Sequence, residues 1–197
     1  MRARENPFRT ERIGRLRFRH PTLPLDAIHR RLHALGCRAA IVGPHGSGKT
    51  TLLHELGSRL TGEGLRIRRW FLNADSPSPA PRALVREARS LGPGDVLLFD
   101  GAGHVSRPTW WRVMRACRRA GGLLVTAHSR GLLPTLVETR TDAALLAELT
   151  CDLIGPSARR IRPLLEELRA AHAGNLRDVF LALYDLEARD DPRLVEL

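Results

Sequence analysis

The chain has 197 residues, of which 43% are hydrophobic and 27% charged, and its 32 basic and 21 acidic side chains leave a formal net charge of +11. This composition excludes a disordered, collagenous or coiled-coil chain and suits one packed domain with room for a small appendage. Apolar runs such as residues 96–99 fall far short of the ~18 residues of a membrane span, and no N-terminal stretch resembles a signal peptide.

In chain order, the first pattern is an alternation, with Arg15, Arg17 and Arg19 on one face of an expected strand and Leu16 and Phe18 on the other. Pro21 and Pro24 end it. Leu25, Ile28, Leu32 and Leu35 share one helical face, and Gly36 closes that helix. Residues 39–42 read as a buried strand, followed by a glycine-rich turn and a helix over 48–60. A strand over 65–72 leads into a loop over 73–81 with three prolines and two serines, then a short helix over 81–91. Residues 95–100 form an apolar strand between two Asp. A helix over 108–120 and a strand over 123–127 follow, and residues 135–139 are a candidate fifth strand. Two helices, over 158–173 and 176–187, close the chain.

Continuous apolar strands alternating with helices predict an α/β fold, a doubly wound, mostly parallel sheet covered on both faces. The organisation expected is a basic N-terminal strand–helix segment (1–36), a core (37–154) and a C-terminal helical appendage (155–197) after Gly155-Pro156. Cys37, Cys117 and Cys151 form no metal or redox spacing, and a reducing cytoplasm is the simpler reading.

The core opens on Gly43-Pro44-His45-Gly46-Ser47-Gly48-Lys49-Thr50, which matches G-x-x-x-x-G-K-[ST] and sits between a strand and a helix. Glycines let the backbone wrap until several N–H groups point at phosphate oxygens, and the helix that continues through Thr51 adds its positive N-terminal end. In this chemistry Lys49 reaches the β- and γ-phosphates and the Thr50 hydroxyl ligates Mg²⁺. Lys49 is the chain's single lysine among 31 arginines, and a compact ammonium is not interchangeable with a guanidinium. Asp100, at the end of the strand over 95–100, is the candidate second metal residue, acting through water; a turn-capping role before Gly101 is the alternative. Without a second lysine the guanine motif Asn/Thr-Lys-x-Asp is excluded, which favours ATP over GTP.

Gly43 to Thr50 resembles the Walker A motif of P-loop NTPases, and Val96 to Asp100 resembles Walker B. One strand lies between them in sequence, an order that resembles the AAA+ and other additional-strand ATPases. The resemblance implies an ATP- and Mg²⁺-binding core with a helical lid. It implies that Thr126 or His128 touches the γ-phosphate or the attacking water, and that Arg177, in Gly174-Asn175-Leu176-Arg177, reports the nucleotide to the lid. The bland account of that corner is a helix cap of Asn175 with Asp178, leaving Arg177 an ordinary exposed side chain. The family usually places Glu directly after the Walker B Asp. Here the residue is Gly101, with no Glu close behind, so slow hydrolysis or a nucleotide-gated switch is expected. His104 is the nearby candidate base, or simply an exposed loop residue. Arg130 and Arg140 are candidate fingers for a neighbouring subunit of an oligomer.

Ten Arg against three acids give residues 1–40 a balance of +7. Arg15, Arg17 and Arg19 with Arg30 and Arg31 form one candidate basic patch, and Trp111, Arg115 and Arg118, flanked by Arg112 and Arg119, form another. Such surfaces meet nucleic acid or an acidic protein, or are solvated faces. On the first helix-wheel face Trp110, Val113, Met114 and Cys117 point to the core. The alternative functions are a small-molecule or nucleotide kinase, and a nucleic-acid-binding module regulated by nucleotide.

Overall fold

The structure is a computed structural model that describes residues 5–73 and 80–194; most of the loop expected over 73–81 lies outside them. The described residues divide into two compact units, one formed by 22–43 with 48–139 and the other by 5–21, 44–47 and 140–194.

The first unit is built on five strands: β1 (Arg38–Val42), β2 (Arg66–Phe71), β3 (Asp95–Asp100), β4 (Gly122–Ala127) and β5 (Thr135–Glu138). Their spatial order is β2-β3-β4-β1-β5, and every pairing is parallel. The expected doubly wound sheet is therefore present, and β4 is inserted between β1 and β3. The central strands are buried along almost their whole length, as strands covered on both faces must be. Edge strand β2 carries Arg66, Arg68 and Arg69, all exposed, and charge on an edge discourages pairing with other chains.

Helices α2 (Leu25–Ala34), α3 (Lys49–Gly62), α4 (Ala80–Arg89) and α5 (Arg107–Ala116) complete this unit. Leu84 and Ala88 of α4 and Val113 of α5 join Ala40, Val42, Leu97, Phe99, Leu123 and Val125 in one cluster. These strand residues are spaced by two and so share one face. Helix α3 packs on the other face, where Gly57 lets it approach Leu98 so closely that an added Cβ would stand 2.5 Å from Leu98 Cδ1.

An ion pair pins the start of the sheet. Arg66 grips buried Asp95 with two bonds (Nε to Oδ1 2.8 Å, Nη2 to Oδ2 3.1 Å), and the Gly92 amide donates to Oδ2 at 2.8 Å. The guanidinium bonds first, and that amide second, hold the Asp95 carboxyl down at about 2. A depressed carboxylate contributes stability above its unfolded value of about 3.9 and loses it as pH falls through the folded value. Asp95→Asn should therefore flatten the decline of thermal stability between about pH 4 and pH 2, read as melting temperature against pH for the two proteins.

The second unit is helical: α1 (Thr10–Ile13), α6 (Ala143–Ile154), α7 (Arg162–Ala171) and α8 (Leu176–Ala188). Its core gathers Leu146 and Leu149, Leu164 and Leu165, Val179, Phe180 and Leu183 around Phe8, which is 1% exposed. Asn6, also buried, donates its Nδ2 to the Tyr184 carbonyl at 2.9 Å, and Arg12 donates to the Leu153 carbonyl at 2.9 Å.

The strand expected over 15–19 does not form. The alternation is real, but its residues are committed elsewhere: Leu16 packs against the helical core, and Arg19 pairs with Glu148 at 3.3 Å and Asp152 at 2.8 Å. The basic patch drawn on that strand face loses Arg19 to these ion pairs. Helix α6 was not anticipated at all.

Candidate functional site

Strand β1 delivers the chain into the glycine loop, and α3 begins at Lys49. Gly48 caps that helix with φ +85°, and Gly46 has φ +66°, left-handed values that a glycine adopts without strain. Around Gly46 there is also no space. A Cβ there would lie 1.7 Å from Asn175 Oδ1 and 3.0 Å from the Leu176 amide, so within the helical unit the middle of the loop rests on the cap of α8. Ser47 is buried and donates its hydroxyl to the Pro44 carbonyl at 2.8 Å. Pro44 and His45 are exposed, and Thr51 is half-buried one residue into the helix after Thr50.

Lys49 is half-buried, and its ammonium donates to the Gly43 carbonyl at 2.9 Å. Burial pulls its pKa down, against the attraction of the nearby Asp100 carboxylate. A partly dehydrated ammonium next to backbone amides is suited to taking an anion. The neighbouring Thr50 hydroxyl donates to Asp100 Oδ2 at 2.8 Å. Two hard oxygen donors so placed suit Mg²⁺, which is held by one or two protein oxygens and keeps several waters. Thr50 fits a direct ligand and Asp100 a water-mediated one.

Thr126, 2% exposed on β4, stands behind this pair. Its hydroxyl donates to Asp100 Oδ1 and accepts the Gly101 amide at 2.9 Å. The insertion of β4 next to β3 puts it there. Its hydroxyl proton is thus spent on orienting Asp100, a role that sequence reasoning did not give it. The strand neighbour is visible only once the sheet order is known.

Gly101 itself has φ +88°, and a Cβ would lie 1.8 Å from the Leu72 carbonyl oxygen and 3.3 Å from His104 Cδ2. The corner after Asp100 therefore has no room for a side chain, and the ring of His104 lies beside it. His104 and His128 are exposed and meet edge to face, with ring centroids 6.3 Å apart. The two candidate histidines thus come together although 24 positions separate them.

Arg177 is exposed in the first turn of α8, in the helical unit. Its amide donates to Asn175 Oδ1 at 3.2 Å, while Asn175 Nδ2 donates to Asp178 at 2.6 Å; the cap read from these residues is formed. Arg130 is held by Glu138 of the same chain, and Arg140 is exposed in the helical unit.

On α5 the core and solvent faces fall as expected: Val113 and Cys117 are buried, and Trp111 is 65% exposed. Arg112, Arg115, Arg118 and Arg119 line a groove of about 360 Å³ together with Arg89 at the end of α4. Arg89 was not foreseen, because nothing in the sequence signals that α4 and α5 are neighbours. No described helix is long and apolar enough to cross a membrane.

No family model and no curated protein matches the sequence. Among solved structures, the chain is similar to the RuvB Holliday junction branch migration motor of Thermotoga maritima, with a TM-score of 0.51 and 18% identity over 82% of this chain and 67% of that one. A proline-to-glycine mutant of the same RuvB aligns with a TM-score of 0.50 and 17% identity over 91% of this chain and 75% of that one. The likeness is one of fold: the chain has a P-loop NTPase fold with a parallel five-stranded sheet.

Proposed function

We propose that this chain is an ATP-binding P-loop protein that hydrolyses ATP slowly and acts as a nucleotide-gated switch on a nucleic-acid partner. The observation that carries this reading is the convergence of Lys49, Thr50 and Asp100 at the end of a glycine loop, on a fold shared with a branch migration motor that is only 18% identical. On binding, the loop amides and Lys49 take the phosphates, the ammonium exchanging its Gly43 carbonyl for phosphate oxygen. Mg²⁺, when bound, neutralises charge on the β- and γ-phosphates. Thr50 and Asp100 hold it, and Thr126 fixes the carboxylate. His104 and His128 are the groups placed to orient water, and Arg177 and the residues from 155 onward are the lid that would respond. Contact between Gly46 and the cap of α8 gives the loop a route to that response.

The nucleic-acid partner is supported by the five-arginine groove with Trp111 exposed on the same helix, since guanidinium groups bind phosphate backbones and an aromatic ring stacks on bases. The similar RuvB is a Holliday junction motor. Turnover of ATP should be slow alone, Mg²⁺-dependent, and changed by DNA or RNA. The logarithm of nucleic-acid affinity should fall against log salt with a slope steeper than about −3, as four or five phosphate contacts require. Brisk unstimulated hydrolysis, or transfer of the γ-phosphate to a metabolite in a screen of acceptors, would overturn the reading.

A further inference from the structure

A second cluster of ligating atoms lies in the sheet unit, away from the residues assigned above. His29 and His33 stand one turn apart on α2, and Glu63 is the C-cap residue of α3. His29 Nε2 lies 3.1 Å from Glu63 Oε1, His33 Nε2 lies 3.3 Å from the same oxygen and 3.1 Å from Oε2, and the two Nε2 atoms are 3.3 Å apart. The rings meet edge to face, with centroids 4.8 Å apart.

The three atoms His29 Nε2, His33 Nε2 and Glu63 Oε1 form a triangle with sides of 3.1–3.3 Å. Each carries a lone pair when the rings are neutral at Nε2, and one cation at the centre of that face would take all three at once. Tetrahedral bonds of about 2.0–2.1 Å to His nitrogen and Glu oxygen have edges of about 3.3 Å, and the three separations among His29 Nε2, His33 Nε2 and Glu63 Oε1 are close to that edge. We propose that His29, His33 and Glu63 form a Zn²⁺ site, with water as the fourth ligand, that clips α2 to the C-terminal end of α3.

The chemistry around the cluster agrees. Imidazole nitrogen with carboxylate oxygen is a donor set that zinc accepts. His33 Nδ1 lies 3.8 Å from Cys37 Sγ, so with the metal on Nε2 the other ring nitrogen directs its proton at sulfur and fixes the ring. The positive charge of Arg59, which reaches His29, is offset by Asp26 at 2.5 Å. His33 and Glu63 are exposed, which leaves the fourth position to solvent. The 14 residues of α3 put about 20 Å of helix between this site and Lys49, so the clip does not depend on nucleotide.

The test uses the full chain without a histidine tag, freed of metal by chelator. Calorimetric titration with Zn²⁺ should show one ion per chain, and Co²⁺ should give the visible absorption of a four-coordinate site. Zn²⁺ should raise the melting temperature, since an ion bound only to the folded chain stabilises it. His33→Ala and Glu63→Gln, both at exposed positions, should fold without metal yet lose more than about a hundredfold in affinity, beyond the loss of an outer-shell partner. Cys37→Ser should retain one-to-one binding. Absence of one-to-one binding, binding that survives in both ligand variants, or a thiolate-to-cobalt charge-transfer band would each overturn the proposal.

Discussion

Gly101→Glu should fail to produce a faster ATPase and should instead destabilise the sheet unit. The substitution restores the acid that the resembled ATPases carry after their Walker B Asp, so on sequence alone it looks like a repair. The obstacle is at Cβ, before any carboxylate is reached: 1.8 Å from the Leu72 carbonyl oxygen, on a backbone with φ +88°. That oxygen belongs to the strand ends, where the Leu72 amide also donates to the Asp100 carbonyl at 2.9 Å, so backbone has to move. Left-handed conformation costs an L-residue about 1–2 kcal/mol, and forcing atoms into a packed site costs about 1–3 kcal/mol more. At about 2–4 °C per kcal/mol for a chain of this size, a melting temperature lower by roughly 5–15 °C is expected. Gly101→Ala should fall by a similar amount, because the collision is shared. Thermal denaturation of both variants, followed by turnover of whatever remains folded, decides it; a Glu variant that melts with the wild type and hydrolyses faster would refute the argument.

Lys49→Ala should remove most of the affinity for ATP while leaving the fold in place. In the free chain the ammonium makes one bond to the Gly43 carbonyl and is only half-buried, so its loss should cost stability no more than about 1.5 kcal/mol. Toward a triphosphate it supplies charge-assisted bonds worth about 1.5–3 kcal/mol each, so at least a tenfold and up to several hundredfold weaker binding is expected. Lys49→Arg should not restore it, since a planar fork cannot replace a point charge inside a glycine loop. Titration of a fluorescent adenine nucleotide with Mg²⁺, alongside a melting curve, separates the two effects. Unchanged affinity would remove the phosphate site and the function built on it.

The strands were legible because β1, β3 and β4 are short apolar runs bounded by turns or acids, and a strand covered on both faces has that appearance. Their spatial order was not, since pairing is non-local, and with the order went the partner of Thr126. Helix α6 escaped because Ala143–Ile154 is apolar nearly all round and shows little period. Its start was nevertheless marked by Asp142, whose carboxylate accepts the Leu145 amide at 2.7 Å. Residues 15–19 misled in the opposite sense: an alternating pattern specifies a strand only where a sheet edge is there to receive it. The zinc cluster shows the same limit. The spacing of His29 and His33 was on view, but the carboxylate arrives 30 positions later by way of α3.

Phe8 and Asn6 are buried among residues 145–194, which gives synthesis on the ribosome a particular order. Phe8 emerges well before the other members of its hydrophobic core, whereas the sheet is complete once residue 139 has been made. Contacts so distant along the chain form slowly. The nascent helical unit therefore exposes apolar side chains until residue 194 has been made, a period in which chaperone capture or aggregation competes with folding, and residues 44–47 of the glycine loop wait with it.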